Sequence, residues 1–298
     1  MMKLRAYLSL FVVMAYLVFG IPPWEQTASQ AETAQPTSVF AKDNLVAWCI
    51  VPFDAAKRGP QARAKMLREL GLKKVAYDWR QEHVPTFEEE ILAYREHGLE
   101  FFAFWDVHED MFQLFEKHKI SPQVWKMMPQ PSEGGQQEKV EAAARQMIPL
   151  VNRTRQLGCK LGIYNHGGWA GEPSNMVAVC KWLRQNADGK HVGIVYNFHH
   201  GHEHVNDFSR QIAMMKPYLL CVNLNGMNDG ARPKILALGS GQHEIAMMRT
   251  LKASGYQGPV GILDHQSELD AEQSLKENLT GIKQILIKMK DTVAAKTY

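Results

Sequence analysis

Residues Val192 to His204 read VGIVYNFHHGHEH. The run from Val192 to Val195 is apolar, broken only by Gly193, and turns polar at Asn197. Four histidines follow: His199, His200, His202 and His204. A short apolar run that ends in polar residues is the pattern of a buried parallel strand leaving the core. In a barrel of alternating strands and helices, that exit is where chemistry sits. Neutral imidazoles there serve as base, acid or metal ligand. A solvated His-rich loop reads the same way in isolation, so repetition of the pattern decides.

The pattern recurs. Strands are expected over residues 45–51, 74–77, 101–105, 122–127, 160–164, 192–197, 218–224 and 260–263. Between them lie amphipathic segments at 61–70, 86–98, 111–119, 138–157, 174–186, 205–215 and 243–253. Thr86 and Glu89 have the spacing of a capping box. Pro149 is expected to kink the long helix. Gly71, Gly98, Gly158, Gly189 and Gly255 each follow a helix, where a left-handed residue turns the chain out. A last helix places Leu275, Leu279, Ile282, Leu286 and Met289 on one face. Eight strands alternating with helices predict an α/β fold, a (β/α)8 TIM barrel spanning residues 41–298. A doubly wound open sheet is the alternative, but no GxGxxG turn follows the first strand.

The 298 residues are 45% hydrophobic and 22% charged with net charge +3, enough for one large core. The cations are dispersed, so no nucleic-acid footprint is expected. Lys3 and Arg5 precede the uncharged run of residues 6–21, which reads as a secretory signal or an uncleaved membrane tether. A polar linker follows to about residue 40, and the chain is expected to be exported. Cys49 and Cys221 fall in apolar runs as buried thiols; Cys159 and Cys180 are free or bridged to each other.

In a barrel the strand exits face one another. They bring together Asp78, Arg80, Asp106, His108, Asn165, His166, Asn197, His199, His200, Asn223, Asn225, Asp264 and His265. Trp48, Trp79, Trp105 and Trp169 lie near the same exits and could stack on a sugar face. Each has a plainer reading: Asp78 with Arg80 as a loop ion pair, Asn225-Gly226 as a turn. Six exits carrying His, Asn or Asp together favour a site.

Here the chain resembles the xylose-isomerase-like barrels, the sugar phosphate isomerase/epimerase family. Gly239-Ser240-Gly241 and the run LKASGYQGPVG, Leu251 to Gly261, are similar to its PGxGE segment and closing GYxGxVGLE strand. Asn197-Phe198-His199-His200 resembles its DxxH, and Tyr164-Asn165-His166 its ENH. The resemblance covers about Asn44 to Met289. It implies a divalent metal held by Glu, Asp, His and Glu from strands five to eight, and a substrate contact at His200. The corresponding positions here carry Tyr164, Asn197, Asn223 and Leu263, or Asp264 after a one-residue slip. Three anionic ligands become one at most, so no metal cofactor is expected. The alternative is zinc on His166, His199, His200, Asp264 or His265.

The reading is an exported barrel that binds a small carbohydrate or keto-sugar and moves a proton beside its carbonyl, by isomerisation, epimerisation or elimination. His200 or His166 is the candidate base, and Asp264 orients an imidazole. Asn165, Asn197 and Asn223 hold hydroxyls or the oxyanion. Asp78, Asp106, His108, His199, Asn225, His265 and Trp169 contact substrate. The runner-up is a non-catalytic carbohydrate-binding barrel that has lost its metal site.

Overall fold

Each apolar run is buried on both faces and finds a strand on either side. The computed structural model describes residues 38–298. The strands are β1 (Leu45–Trp48), β2 (Lys74–Tyr77), β3 (Glu100–Trp105), β4 (Gln123–Lys126), β5 (Leu161–Tyr164), β6 (Val192–Asn197), β7 (Leu219–Leu224) and β8 (Val260–Leu263). They are parallel and form a closed barrel in chain order. Closure comes from Leu45 to Trp48 pairing in step with Val260 to Leu263. The helices are α1 (Pro60–Glu69), α2 (Phe87–Glu96), α3 (Glu109–His118), α4 (Gln136–Gln156), α5 (Gly168–Gly171), α6 (Pro173–Asn186), α7 (Phe208–Met215), α8 (Glu244–Ala253), α9 (Ala271–Lys288) and α10 (Thr292–Ala295). The expected (β/α)8 barrel is present.

Local chemistry departs from expectation at several points. The first strand stops at Trp48, because Cys49 turns left-handed at φ 59°. Ile50 and Val51 are buried outside the strand, which is why their hydrophobicity lengthened the expected run. Thr86 makes no cap; its hydroxyl donates to the His83 carbonyl. His83 instead accepts from the Arg80 amide and caps the preceding turn. Gly71, Gly98, Gly158 and Gly255 take positive φ as expected, but after α6 that conformation falls on Asp188 and not Gly189. Gly189 is small for another reason: a Cβ there would lie 2.9 Å from the Leu183 carbonyl. The segment expected helical from Val205 enters its helix only at Phe208. Pro149 lies inside α4, which is one uninterrupted span. All four cysteines are free and buried, so Cys159 and Cys180 are not bridged.

Two cores result. The larger packs helices against the outside of the barrel. The smaller fills its interior with Val46, Trp48, Phe102, Trp125, Tyr164, Val195 and Leu263. Trp48 meets Trp125 edge-on at 4.9 Å, and Trp105 meets Tyr164 at 4.4 Å. Such contacts add to simple area burial. Room for the indoles comes from Gly162, whose Cβ would stand 2.5 Å from Val195 Cγ2 and 3.0 Å from Trp125. These rings plug the barrel and become the floor of its C-terminal mouth. The two ends of the described chain tie together, Ser38 Oγ donating to Asp291 Oδ2 at 2.6 Å and Tyr298 Oη to the Phe40 carbonyl at 2.8 Å. The signal or tether expected in residues 6–21 lies outside the described residues. Among those described, no helix is long and apolar enough to cross a membrane.

Candidate functional site

Parallel strands end together, so the residues just past each strand share one face. At that face a cavity of about 80 Å³ is lined by Trp48, Cys49, Phe53, Asp78, Arg80, Trp105, Tyr164, His166, His199, His200 and His265. A larger hollow of about 530 Å³ opens among the strand starts, bordered by Tyr94, Phe101 and Pro122. No imidazole lines it; His166, His199, His200 and His265 gather at the mouth.

Four imidazoles crowd the cavity. The His199 and His200 ring centres are 3.7 Å apart, His166 and His200 4.3 Å, and His199 and His265 5.9 Å. The His265 ring stacks on Phe53 at 4.0 Å, and the Arg80 guanidinium covers the same phenyl at 5.4 Å. Burial, then mutual repulsion with His166 and the Lys234 ammonium, pushes His200 down to about 3. Burial also lowers His199 strongly, and lowers His166 and His265. All four are therefore neutral at physiological pH.

Lys234 fixes a tautomer. Its Nζ lies 3.3 Å from His200 Nδ1. An ammonium has no lone pair, so Nδ1 must accept and the ring proton sits on Nε2. Sequence reading made His200 a candidate base; in this arrangement its Nε2 carries a proton and is a donor.

The carboxyls are shifted the other way. Asp78 is buried, and its Oδ1 accepts only from the Val51 amide at 3.3 Å, while Oδ2 has no partner. Burial lifts it to about 6 against the pull of Arg80. Burial lifts Asp264 to about 7; the Ser274 hydroxyl opposes this from outside hydrogen-bond geometry. Asp264 accepts from no imidazole, so the orienting role expected for it is not what the structure displays.

The asparagines also differ from expectation. Asn165 Oδ1 accepts from the Asn197 amide at 2.7 Å and from Asn197 Nδ2 at 2.9 Å. Asn165 Nδ2 donates to the Asn197 carbonyl, and Asn223 Nδ2 donates to Asn197 Oδ1 at 2.7 Å. The three side chains thus bond one another across β5, β6 and β7, and none lines the cavity. Asn225 Nδ2 donates to the Gly226 and Lys234 carbonyls, holding the loop that carries Lys234. Asp106 pairs with Lys126, His108 packs on Trp79 and Phe87, and Trp169 donates to Gln136 Oε1 at 3.0 Å. These three stand outside the cavity lining.

The positions to which the resemblance assigns metal ligands do not suit a hard cation. Tyr164 accepts from Trp48 Nε1, the Asn197 and Asn223 side chains bond other side chains, and Leu263 is apolar. Such a cation needs anionic oxygens. Among the described residues no group of three or more His, Cys, Asp or Glu is arranged to hold a metal ion. Purified protein is expected to carry less than one manganese, magnesium or cobalt per chain. A stoichiometric, chelator-resistant metal in elemental analysis would contradict this.

The shifts make stability depend on pH. Between 6.5 and about 3, His200 binds its proton in the unfolded chain but not in the folded one. Stability is therefore present above this window and lost as pH falls through it. His166, His199 and His265 act in the same direction. Asp78 and Asp264 oppose them, since the folded state keeps protons that the unfolded chain releases down to 3.8. Four imidazoles outnumber two carboxyls, so the melting temperature should fall from about pH 7.5 to about pH 5. A flat or rising melting temperature by circular dichroism would contradict the neutral imidazole cluster.

Sequence reading missed Phe53 and Lys234 and took Cys49 for a strand residue. Lys234 lies ten positions beyond β7 in an aperiodic loop, where no pattern assigns a direction.

No family model matches the sequence, and no curated protein matches it. Solved structures do match in fold. A 3-keto-D-glucoside 4-epimerase from E. coli is 15% identical, with TM-score 0.59 over 82% of this chain and 100% of that one. A D-allulose 3-epimerase from Methylomonas sp. is 11% identical, with TM-score 0.63 over 84% and 99%. A xylose isomerase-like TIM barrel protein from Mycobacterium smegmatis, in complex with magnesium, is 16% identical, with TM-score 0.55 over 87% and 99%. The chain has the xylose isomerase-like barrel fold.

Proposed function

We propose that this xylose isomerase-like barrel binds a small carbohydrate or keto-sugar at its mouth and moves a proton beside the carbonyl, as an isomerase, epimerase or lyase. The observation that carries the reading is the pairing, in one cavity above an aromatic floor, of neutral imidazoles with a buried carboxyl whose titration is lifted to about 6. Environments that push titratable groups in opposite directions mark acid and base partners. Trp48, Trp105 and Tyr164 offer ring faces and edges to a sugar. Two solved barrels of this fold are sugar epimerases, one acting on a keto-glucoside and one on a ketose, which supports the substrate class.

His200 and His166 are the imidazoles that meet the substrate. His166 makes no side-chain hydrogen bond and has a lone pair free for proton transfer. His265 and His199 complete the wall. Asp264 adds its charge to the Asp78 side, and Asn165, Asn197 and Asn223 stiffen the strand ends. The test is solvent-deuterium incorporation into a panel of aldoses, ketoses and keto-glycosides in D2O, read by NMR. Incorporation beside a carbonyl supports the enzyme. Binding of a sugar without incorporation supports the second reading, a carbohydrate-binding barrel, which the amide chain in place of the metal ligands favours.

Export belongs to the same proposal and rests on the charged start and apolar run of residues 6–21. The mature chain should begin after about residue 20 to 31, or stay tethered by the apolar run. N-terminal sequencing that finds the full-length chain soluble in the cytoplasm would exclude both.

A further inference from the structure

We propose that the reacting carbonyl lies between His200 and Asp78, with His200 Nε2–H as the donor to its oxygen, Lys234 as the positioning residue behind that ring, and Asp78 as the base. The inference rests on the proton-transfer reading above and supplies its acid and base.

The barrel places the two groups face to face. Asp78 follows β2 and His200 follows β6, four strands apart in a closed ring of eight, hence across the mouth from each other. Both line the one cavity. Asp78 Oδ2 is buried and unpartnered, although a carboxylate oxygen normally finds a donor. Such an orphan is explained if its partner is the proton of a substrate.

On the other side, Lys234 holds His200 in the tautomer that donates into the mouth. A neutral imidazole that donates to a carbonyl, opposite a carboxylate base, is an arrangement known to promote enolisation. The asparagine amides are not placed for the donor role: Asn165, Asn197 and Asn223 bond one another and the β6 backbone, and none of them lines the cavity.

The step balances without an outside oxidant. Asp78 Oδ2 takes the proton from the carbon beside the carbonyl. The C–H electron pair becomes the C=C bond, and the carbonyl π pair moves to oxygen, which accepts from His200 Nε2–H. Return of a proton from Asp78 to the same carbon restores the carbonyl compound, with solvent deuterium carried in. Delivery to the former carbonyl carbon, while the neighbouring hydroxyl gives its proton to the former carbonyl oxygen, gives the isomer. Asp78 is faced by Arg80 at its own strand exit, Arg63 of α1, Cys49 past β1 and Asp264 past β8. The first two draw its titration down, while burial lifts it to about 6, a suitable strength for a base near neutral pH.

Two measurements test the assignment. In 15N NMR of the whole chain, His200 should show the Nε2–H tautomer. Lys234→Met should remove that preference and raise the His200 titration, while the rest of the spectrum stays native. A His200 ring in the Nδ1–H form, or one indifferent to Lys234→Met, overturns the donor assignment whatever sugars react. In the deuterium assay, Asp78→Asn should reduce exchange roughly 100- to 10,000-fold with sugar binding retained and near-ultraviolet circular dichroism unchanged. Asp78→Glu should keep measurable exchange. Exchange in Asp78→Asn equal to wild type overturns the base assignment. No exchange on any sugar in the wild type overturns the reaction itself, and the base with it.

Discussion

Replacing His200 with alanine is expected to lower deuterium exchange roughly 100- to 1000-fold, the usual cost of losing one preorganised oxyanion donor. Sugar affinity should change little, because the donor bond tightens only as charge builds on the oxygen. The ring stands 3.7 Å from His199, 4.3 Å from His166 and 3.3 Å from the Lys234 ammonium. Burial, and this crowding after it, keep the ring neutral, so it can donate without bringing a full positive charge into the mouth. His200→Asn separates the two roles the residue could play. An amide still donates a hydrogen bond but cannot take a proton at neutral pH. Retained partial activity in the asparagine variant supports the donor. An asparagine variant as inactive as the alanine one returns His200 to the base role read from the sequence. An alanine variant with full activity removes His200 from the chemistry.

Replacing Arg63 with alanine should give the largest loss of stability. Arg63 Nη1 donates to both Glu90 oxygens, at 2.7 and 2.6 Å, and Nη2 donates to the Arg58 carbonyl. The pair joins α1 to α2, with the two side chains only 4% and 1% exposed. Tyr77 and Tyr94 are buried near the same carboxylate. Removing the guanidinium leaves Glu90 as a buried charge with no counterion, a change that typically costs ~3–5 kcal/mol. The double replacement Arg63→Met with Glu90→Leu should recover most of that, since paired apolar side chains carry no desolvation penalty. Urea unfolding with an unchanged slope would measure both. A loss below about 1 kcal/mol for Arg63→Ala, the range of exposed pairs, would mean that water reaches this site.

Legibility in the sequence followed the range of the interactions. The β8 run of residues 260–263 matches its expected bounds, because a strand buried on both faces is apolar along its whole length. Glycine stops after α1, α2, α4 and α8 were readable because a positive φ is a local demand. Thr86 failed as a cap because its hydroxyl found the His83 carbonyl, a competitor that a spacing rule does not contain. Asp78, His166, His199, His200 and His265 come together at the mouth as their strand-end positions imply. Asp106, His108 and Trp169 occupy equally suggestive positions and are held away by Lys126, Trp79 and Gln136.

From sequence alone follow the alternation of strand and helix, the count of eight, the common face of the strand exits and the residue types gathered there. Period, turn chemistry and strand burial act over a few residues, and each leaves a mark in the local pattern. Only the tertiary structure decided which polar groups are free. Asn165, Asn197 and Asn223 are 32 and 26 positions apart, and registry across β5, β6 and β7 turns three candidate substrate contacts into one amide chain. Lys234 reaches His200 across 34 positions and selects its tautomer, while Asp78 is left with an oxygen that finds no hydrogen-bond partner among the described residues. A hydrogen bond requires two groups within about 3 Å at a fixed angle, and closure of the barrel sets that geometry between residues distant in the chain.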